Sequence, residues 1–348
     1  MSPYAYSSSN ELTSKPGVTY TYDLNGNTLT SVTGSNNTTY NWDFENRMTS
    51  ATLPGTSGSV TFKYDPMGHR IYKSSSSATS IYAYDGDNLI EETNATGAVV
   101  ARYTQTQEID EPLAMLRSSA TSYYHADGLG SVTSLSSAVG ALAQTYTFDS
   151  FGKSTASSGS LTNPFQFTGR EFDTESSLYF MRARYFDQIT GRFISEDPAR
   201  FPGGINFYTY VENDPVGLVD PFGFCPWQVH SRPLKGLPVL PHYYFYNTQT
   251  GQSIGLGPAG GISGGTVTGS PVPGGWERNE KPGHNEGAVP DGACNCVDQK
   301  AKHPGIPPNY CTYQGNKNAN PHPPCTNCLG WVLSVLQDCY NQASAGQQ

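Results

Sequence analysis

Tyr22-Asp23-Leu24-Asn25-Gly26-Asn27 returns as Tyr64-Asp65-Pro66-Met67-Gly68-His69, and these two stretches decide the fold. Trp42-Asp43-Phe44-Glu45-Asn46-Arg47 stands between them, and Tyr84-Asp85-Gly86-Asp87-Asn88 follows. The aromatic–Asp pairs begin at residues 22, 42, 64 and 84, a spacing of 20 to 22 residues. Each unit reads the same way. An alternating stretch such as Val18-Thr19-Tyr20-Thr21-Tyr22 enters a turn. There the Asp carboxylate can accept from backbone amides, and Gly or Asn tolerates positive φ. Thr28-Leu29-Thr30-Ser31-Val32 then leaves as the second strand of a hairpin. A hairpin this short cannot bury its own apolar face, so successive units must stack side by side.

The rest of the composition agrees with turn-rich β structure. Only 14% of the 348 residues are charged, whereas 37 are Gly and 23 are Tyr. The formal net charge of -9 disfavours a nucleic-acid or membrane-surface partner. No apolar run approaches the roughly 18 residues a spanning helix needs. Met1-Ser2-Pro3-Tyr4 has neither a basic nor an apolar stretch, so it does not read as a secretory signal. All seven cysteines (225, 294, 296, 311, 325, 328 and 339) follow Gly223. That break predicts two modules of different origin, joined at Asp220-Pro221-Phe222-Gly223. The odd count leaves at least one thiol outside any intramolecular set of disulfides.

Further motifs follow the repeats. They are Tyr123-Tyr124-His125-Ala126-Asp127-Gly128-Leu129-Gly130-Ser131-Val132 and Tyr146-Thr147-Phe148-Asp149-Ser150-Phe151-Gly152. Next come Asn163-Pro164-Phe165-Gln166-Phe167-Thr168-Gly169-Arg170-Glu171 and Leu178-Tyr179-Phe180-Met181-Arg182-Ala183-Arg184-Tyr185-Phe186-Asp187. Thr190-Gly191-Arg192-Phe193 and Ser195-Glu196-Asp197-Pro198 close the series. From about residue 15 to residue 223 the chain resembles the YD-repeat and core region of Rhs proteins, teneurins and the C components of Tc toxin complexes. The resemblance implies a mainly β fold, in which a long hairpin sheet forms part of a hollow shell and a core domain plugs one end. The expected division is a YD-repeat sheet over 1–120, the core over 121–223, and a small α+β cysteine-rich module over 224–348. About four to six repeats precede the core, fewer than a shell around a folded effector needs. The chain is therefore expected to be a fragment, with the missing repeats of the shell among its partners. An immunity protein is a further expected partner, and export is expected through a longer parent or a secretion system.

The resemblance also implies chemistry at the junction. In that family an intramolecular aspartic site releases the C-terminal module, and its residues match Asp197, Asp220 and a supporting Arg184 in this sequence. Two carboxylates held close together cannot both ionise freely. One then serves as base toward water while the other, protonated, polarises the carbonyl. The cut is expected after Phe224, where the family usually has Leu, so that the product begins at Cys225. Asp-Pro-x-Gly is also simply a good turn, which stands as the plain structural alternative.

The tail after residue 224 has two islands. Val239-Leu240-Pro241-His242-Tyr243-Tyr244-Phe245-Tyr246-Asn247 and Gln252-Ser253-Ile254-Gly255-Leu256 read as a β-hairpin with His242 at the start of its first strand. Leu329, Val332, Leu333 and Leu336 fall at helical spacing, so Cys328 is expected on the first turn of an amphipathic helix, capped by Thr326 or Asn327. A helix N-terminus lowers a thiol pKa, and a nearby His completes a nucleophile–base pair. This order, His before Cys, resembles permuted NlpC-type papain-like hydrolases. The resemblance implies Cys328 as nucleophile and His242 as base in amide or ester cleavage, with Gln252 and Ser253 as the candidates for the third, orienting group. Three other readings stay open: a disulfide-stapled non-enzymatic domain on a surface interaction protein, a zinc module using Cys294, Cys296, Cys325 and Cys328, and a nuclease around Gly283-His284-Asn285-Glu286. No cofactor is expected.

Overall fold

The computed structural model describes residues 4–55, 58–198 and 206–224. Beyond these it describes 227–234, 237–247, 253–258, 274–278, 284–288, 309–310 and 325–326, with residues 297, 300, 332, 334 and 335. The chain forms two compact units, Met1–Pro198 with Asn206–Phe224, and Ala199–Ile205 with Cys225–Gln348.

In the first unit, sixteen described strands pair antiparallel in strict chain order, from Ala5–Tyr6 to Ser154–Gly159. The sheet runs on across residue 120, where Pro112–Arg117 pairs with Ala120–Ala126. The repeat explains this regularity. Asp23 Oδ1 accepts the amides of Asn25 and Asn27, both at 2.9 Å. Asp43 does the same for Glu45 and Arg47, and Asp65 for Met67 and His69. Gly26 supplies the left-handed residue of its turn at φ +78, a conformation Asn46 adopts in the next unit.

The aromatic before each Asp has a separate task. A register shift precedes Tyr22, Trp42 and Tyr64, bending the strand as each enters its turn. Each ring then reaches back to the first residue of the strand leaving the preceding turn. Trp42 Nε1 donates to Thr28 O at 2.8 Å, Tyr64 Oη to Met48 O at 2.8 Å, and Tyr84 Oη to Arg70 O at 3.1 Å. Burial pushes the Tyr64 and Tyr84 phenols above their ordinary range, so both remain donors. The pair thus divides its work: Asp closes its own turn, and the aromatic ties that turn to the one before.

Tyr84-Asp85 departs from the repeat. Asp85 lies opposite Asn88 across a two-residue turn, with Gly86 at φ +57. With Gly already at the first turn position, a tight hairpin forms and no amide falls where an Asp cap would hold it.

Residues 163–198 and 206–223 pack on the inward face of the sheet. Phe180, Tyr185 and Ile194 bury against Met48, Val60 and Phe62, while Phe165 joins Tyr103, Met115 and Leu135. A small sheet of Glu171–Asp173, Leu178–Met181, Arg184–Asp187 and Arg192–Phe193 forms the centre. Arg70, buried in the wall, pairs with Glu171 at 2.7 Å and with Asp173, and Lys73 joins Asp173 at 3.1 Å. Its guanidinium stacks 4.3 Å from the centre of the Phe180 ring.

The wall curls around this centre. The turn at 23–27 and the turn at 149–153 are twelve strands apart, about 58 Å on a flat sheet. Yet Thr28 N donates to Ile194 O at 2.9 Å, and the Phe151 ring lies against Gly191. Residues 191 and 194 can be no more than about 11 Å apart. Only a strongly curved sheet reaches both.

In the second unit, Trp227–Leu234, Leu237–Asn247, Ser253–Pro258, Gly274–Arg278 and His284–Ala288 form a five-stranded antiparallel sheet. The expected hairpin is present, with Tyr244 opposite Gly255. Its first strand begins at Leu237, so His242 lies in mid-strand rather than at the start, opposite Arg232. The two-residue connection to Trp227–Leu234 extends the strand backward past Pro241. Val332, Ser334 and Val335 are helical; Val332 is buried, as its place in the expected apolar stripe requires, Val335 is buried as well, and Ser334 is exposed. Cys325–Thr326 is a short strand parallel to Asn309–Tyr310.

Candidate functional site

Arg184 opens the strand Arg184–Asp187 and lies wholly inside the first unit, 1% exposed. Its Nη2 faces Asp197 Oδ2 at 3.3 Å and Asp220 Oδ2 at 3.2 Å. One nitrogen therefore gathers both carboxylates, which are 2% and 6% exposed. The three residues that the resemblance singled out come together although they are separated by up to 36 positions. The remaining guanidinium donors bind backbone: Nη1 to Phe207 O at 3.2 Å, and Nε to Gly223 O. The Phe193 ring lies 3.5 Å beneath the guanidinium carbon. Such burial makes a charge-assisted bond stronger than it would be in water and makes loss of either partner costly.

Each carboxylate arrives on a segment tied to the rim of turns. The Asp197 amide donates to Phe207 O at 3.0 Å. Just before Asp197, Ile194 O accepts both the amide and the hydroxyl of Thr28. Tyr208 Oη donates to Gly26 O at 2.7 Å, and the Glu196 side chain lies where a Cβ on residue 26 would go. The first repeat turn thus holds the Asp197 arm. Asp220 begins the junction segment. Ala183 N donates to Phe222 O at 3.0 Å. Gly223 sits at φ +71 so close to Met181 O that any Cβ would overlap it. Beside the pair, Tyr210 is fully buried, and burial first, then the Asp220 charge, pushes its phenol above the ordinary range.

Phe224 is half-buried at the end of the first unit. Cys225 and Cys328 lie outside the described residues, as do Gln252, Cys294 and Cys296. His242 is fully buried, stacked on Tyr244 at 5.6 Å between ring centres and close against Gly255. Among the described residues no cluster of His, Cys, Asp and Glu is arranged to hold a metal ion, and no helix is long and apolar enough to cross a membrane.

Arg182 and Asp110 escaped the sequence reading. Asp110 sits in a turn, Thr106-Gln107-Glu108-Ile109-Asp110-Glu111, that has no repeat signature. Its carboxylate receives Arg170 and both terminal nitrogens of Arg182, the latter at 3.0 Å each. Only the doubled arginine of Arg182-Ala183-Arg184 hinted at a second cation at the junction.

These features meet those of known proteins. The Teneurin YD-shell family matches residues 3–216, and the chain belongs to it. The tRNA(Glu)-specific nuclease WapA of Bacillus subtilis subsp. natto (strain BEST195) is 33% identical over 144 residues, 39% of this chain and 6% of that protein. Double-stranded DNA deaminase toxin A of Burkholderia cenocepacia (strain H111) is 30% identical over 175 residues, 46% of this chain and 11% of that protein. The chain thus spans a small fraction of these relatives. A TcdB2–TccC3–Cdc42 crystal structure overlaps 64% of this chain and 15% of its own, at 18% identity and a TM-score of 0.46.

Proposed function

We propose that this chain is the releasing end of a toxin-type shell protein, in which Asp197 and Asp220 hydrolyse the peptide bond after Phe224. The observation that carries this reading is the single Arg184 nitrogen shared by the two buried carboxylates. One carboxylate takes a proton from water, whose hydroxyl adds to the Phe224 carbonyl carbon. The other, protonated, donates to the leaving nitrogen of Cys225 as the C–N bond breaks. Arg184 draws the two acids together and fixes the Gly223 carbonyl, one residue before the scissile bond. The relatives support the wider role, since their names describe a tRNA nuclease and a DNA deaminase toxin. In this reading the remaining shell lies in a longer product, and an immunity protein neutralises the released module. Cell-free synthesis followed by intact mass tests the cut. The expected result is a fragment ending at Phe224, abolished by Asp197→Asn or Asp220→Asn. A chain that stays whole, or a cut indifferent to both substitutions, overturns it.

For the released module we propose thiol-based acyl transfer with Cys328 as nucleophile and His242 as base. The hairpin that carries His242 favours this reading, as does the helical, buried placement of Val332 on the expected apolar stripe. Native alkylation and peptide mapping should label Cys328, with a rate that falls in His242→Ala. Cys328 recovered in a disulfide sinks the hydrolase and favours the stapled domain.

A further inference from the structure

Three consecutive residues grip three consecutive carbonyls at the junction. Arg182 Nη1 donates to Pro221 O, Ala183 N to Phe222 O at 3.0 Å, and Arg184 Nε to Gly223 O. The turn between Leu178–Met181 and Arg184–Asp187 therefore matches the junction residue for residue. A slip of one position would break all three bonds together. Arg182 is itself held from the wall. Its fork meets both oxygens of Asp110, its Nη2 also donates to Asp87 O at 3.1 Å, and its guanidinium carbon lies 5.5 Å from the centre of the Phe222 ring. Its backbone is at φ +50, an uncommon place for a long side chain, which the surrounding bonds must maintain. The Arg182 side chain is only 10% exposed.

We infer that Arg182, anchored by Asp110, is the positioning residue that sets which peptide bond meets the two carboxylates. Arg182 bonds Asp110 and backbone carbonyls, not the two carboxylates, so it acts through the Pro221 carbonyl and the Phe222 ring. Hydrolysis needs the reacting atoms within a narrow range, and a shift of about 1 Å can cost on the order of 100-fold in rate. The anchor also makes release conditional on the wall. The turn at 106–111 must be formed before the junction is aligned. This inference rests on the self-cleavage proposed above.

The test times cleavage of the full chain after cell-free synthesis and weighs the fragments. Wild type and Asp197→Asn come first, since an uncut or Asp-independent wild type overturns both readings at once. With that reading intact, Arg182→Gln and Asp110→Asn are each expected to slow cleavage about 10- to 100-fold. They should also yield fragments ending beside Phe224 as well as at it. The pH dependence of the residual rate should match wild type, because neither substitution removes a group that touches the acids. Asn94→Ala, which removes the bonds that the Asn94 side chain accepts from the Thr96 and Ala98 amides in an exposed turn, serves as the control for stability loss alone. Cleavage by both test variants at the wild-type rate overturns the inference. So does a slowing no greater than that of the control with a single wild-type fragment.

Discussion

Two kinds of turn share one rim of the sheet. At residues 23–27, 43–47, 65–69, 127–131 and 149–153 an Asp spends its carboxylate on its own turn, accepting amides two and four residues on. At 86–87 and 106–111 it does not. Asp85 faces Asn88 across a tight hairpin, and Asp110 points its carboxylate at Arg170 and Arg182. The regular turns also lace themselves together. Asn27 bonds Asp23 and reaches Asn46, Arg47 bonds Asp43 and reaches Asp65 O, and His69 bonds Asp65 and Asp87. Where the repeat lapses, the acid or carbonyl becomes available to the core. The interruption of the pattern is what hangs the junction on the wall.

The contrast can be broken most forcefully at Asp110. Asp110→Ala leaves the nearly buried Arg170 and Arg182 without their shared carboxylate, and should cost about 3–5 kcal/mol of unfolding free energy. Urea melts of the uncleaved Asp197→Asn background measure it, and a cost below that of a regular turn would erase the distinction. Asp43→Ala removes two amide bonds that water can partly replace, and about 1–2 kcal/mol is expected by analogy with helix caps. Tyr84→Phe deletes one hydrogen bond to Arg70 O and keeps the ring, so about 1 kcal/mol should be lost in the same melts.

The smallest effect is a pH dependence. Partial burial alone would raise the Asp65 pKa, but bonds from the His69 side chain and amide and from the Met67 amide outweigh it and hold the carboxyl below its usual value. A depressed folded pKa contributes stability that is complete above the unfolded value of about 3.9 and is lost as pH falls through the folded one. Asp65→Asn should therefore narrow the gap between the melting temperatures at pH 6 and pH 3. A gap identical to wild type would show that this cap does not titrate with folding.

The YD rule was legible because it is local. Tyr22-Asp23 to Asn27 contains both the turn chemistry and the strand alternation, and the hairpin at residues 18–32 follows from them directly. Tyr84-Asp85 misled for the same reason. A glycine two residues earlier changes the turn type, and the aromatic–Asp pair does not report it. The reach of each aromatic to the preceding strand, ten to sixteen residues away, was invisible, since no local pattern says which carbonyl lies beneath a ring. His242 shifted from the end to the middle of its strand because pairing with Trp227–Leu234 lengthened it.

By itself the sequence determined the repeated hairpin and the confinement of all seven cysteines to the residues after Gly223, while a resemblance carried by short motifs singled out Arg184, Asp197 and Asp220 as candidates. Tertiary structure alone decided that one buried Arg184 nitrogen holds both acids, and that Arg182 and Asp110 fix the junction from the wall. Those bonds join residues 13 to 72 positions apart. They exist because the sheet curls far enough to bring its rim of turns around the core, a property of sixteen strands together and of no single repeat.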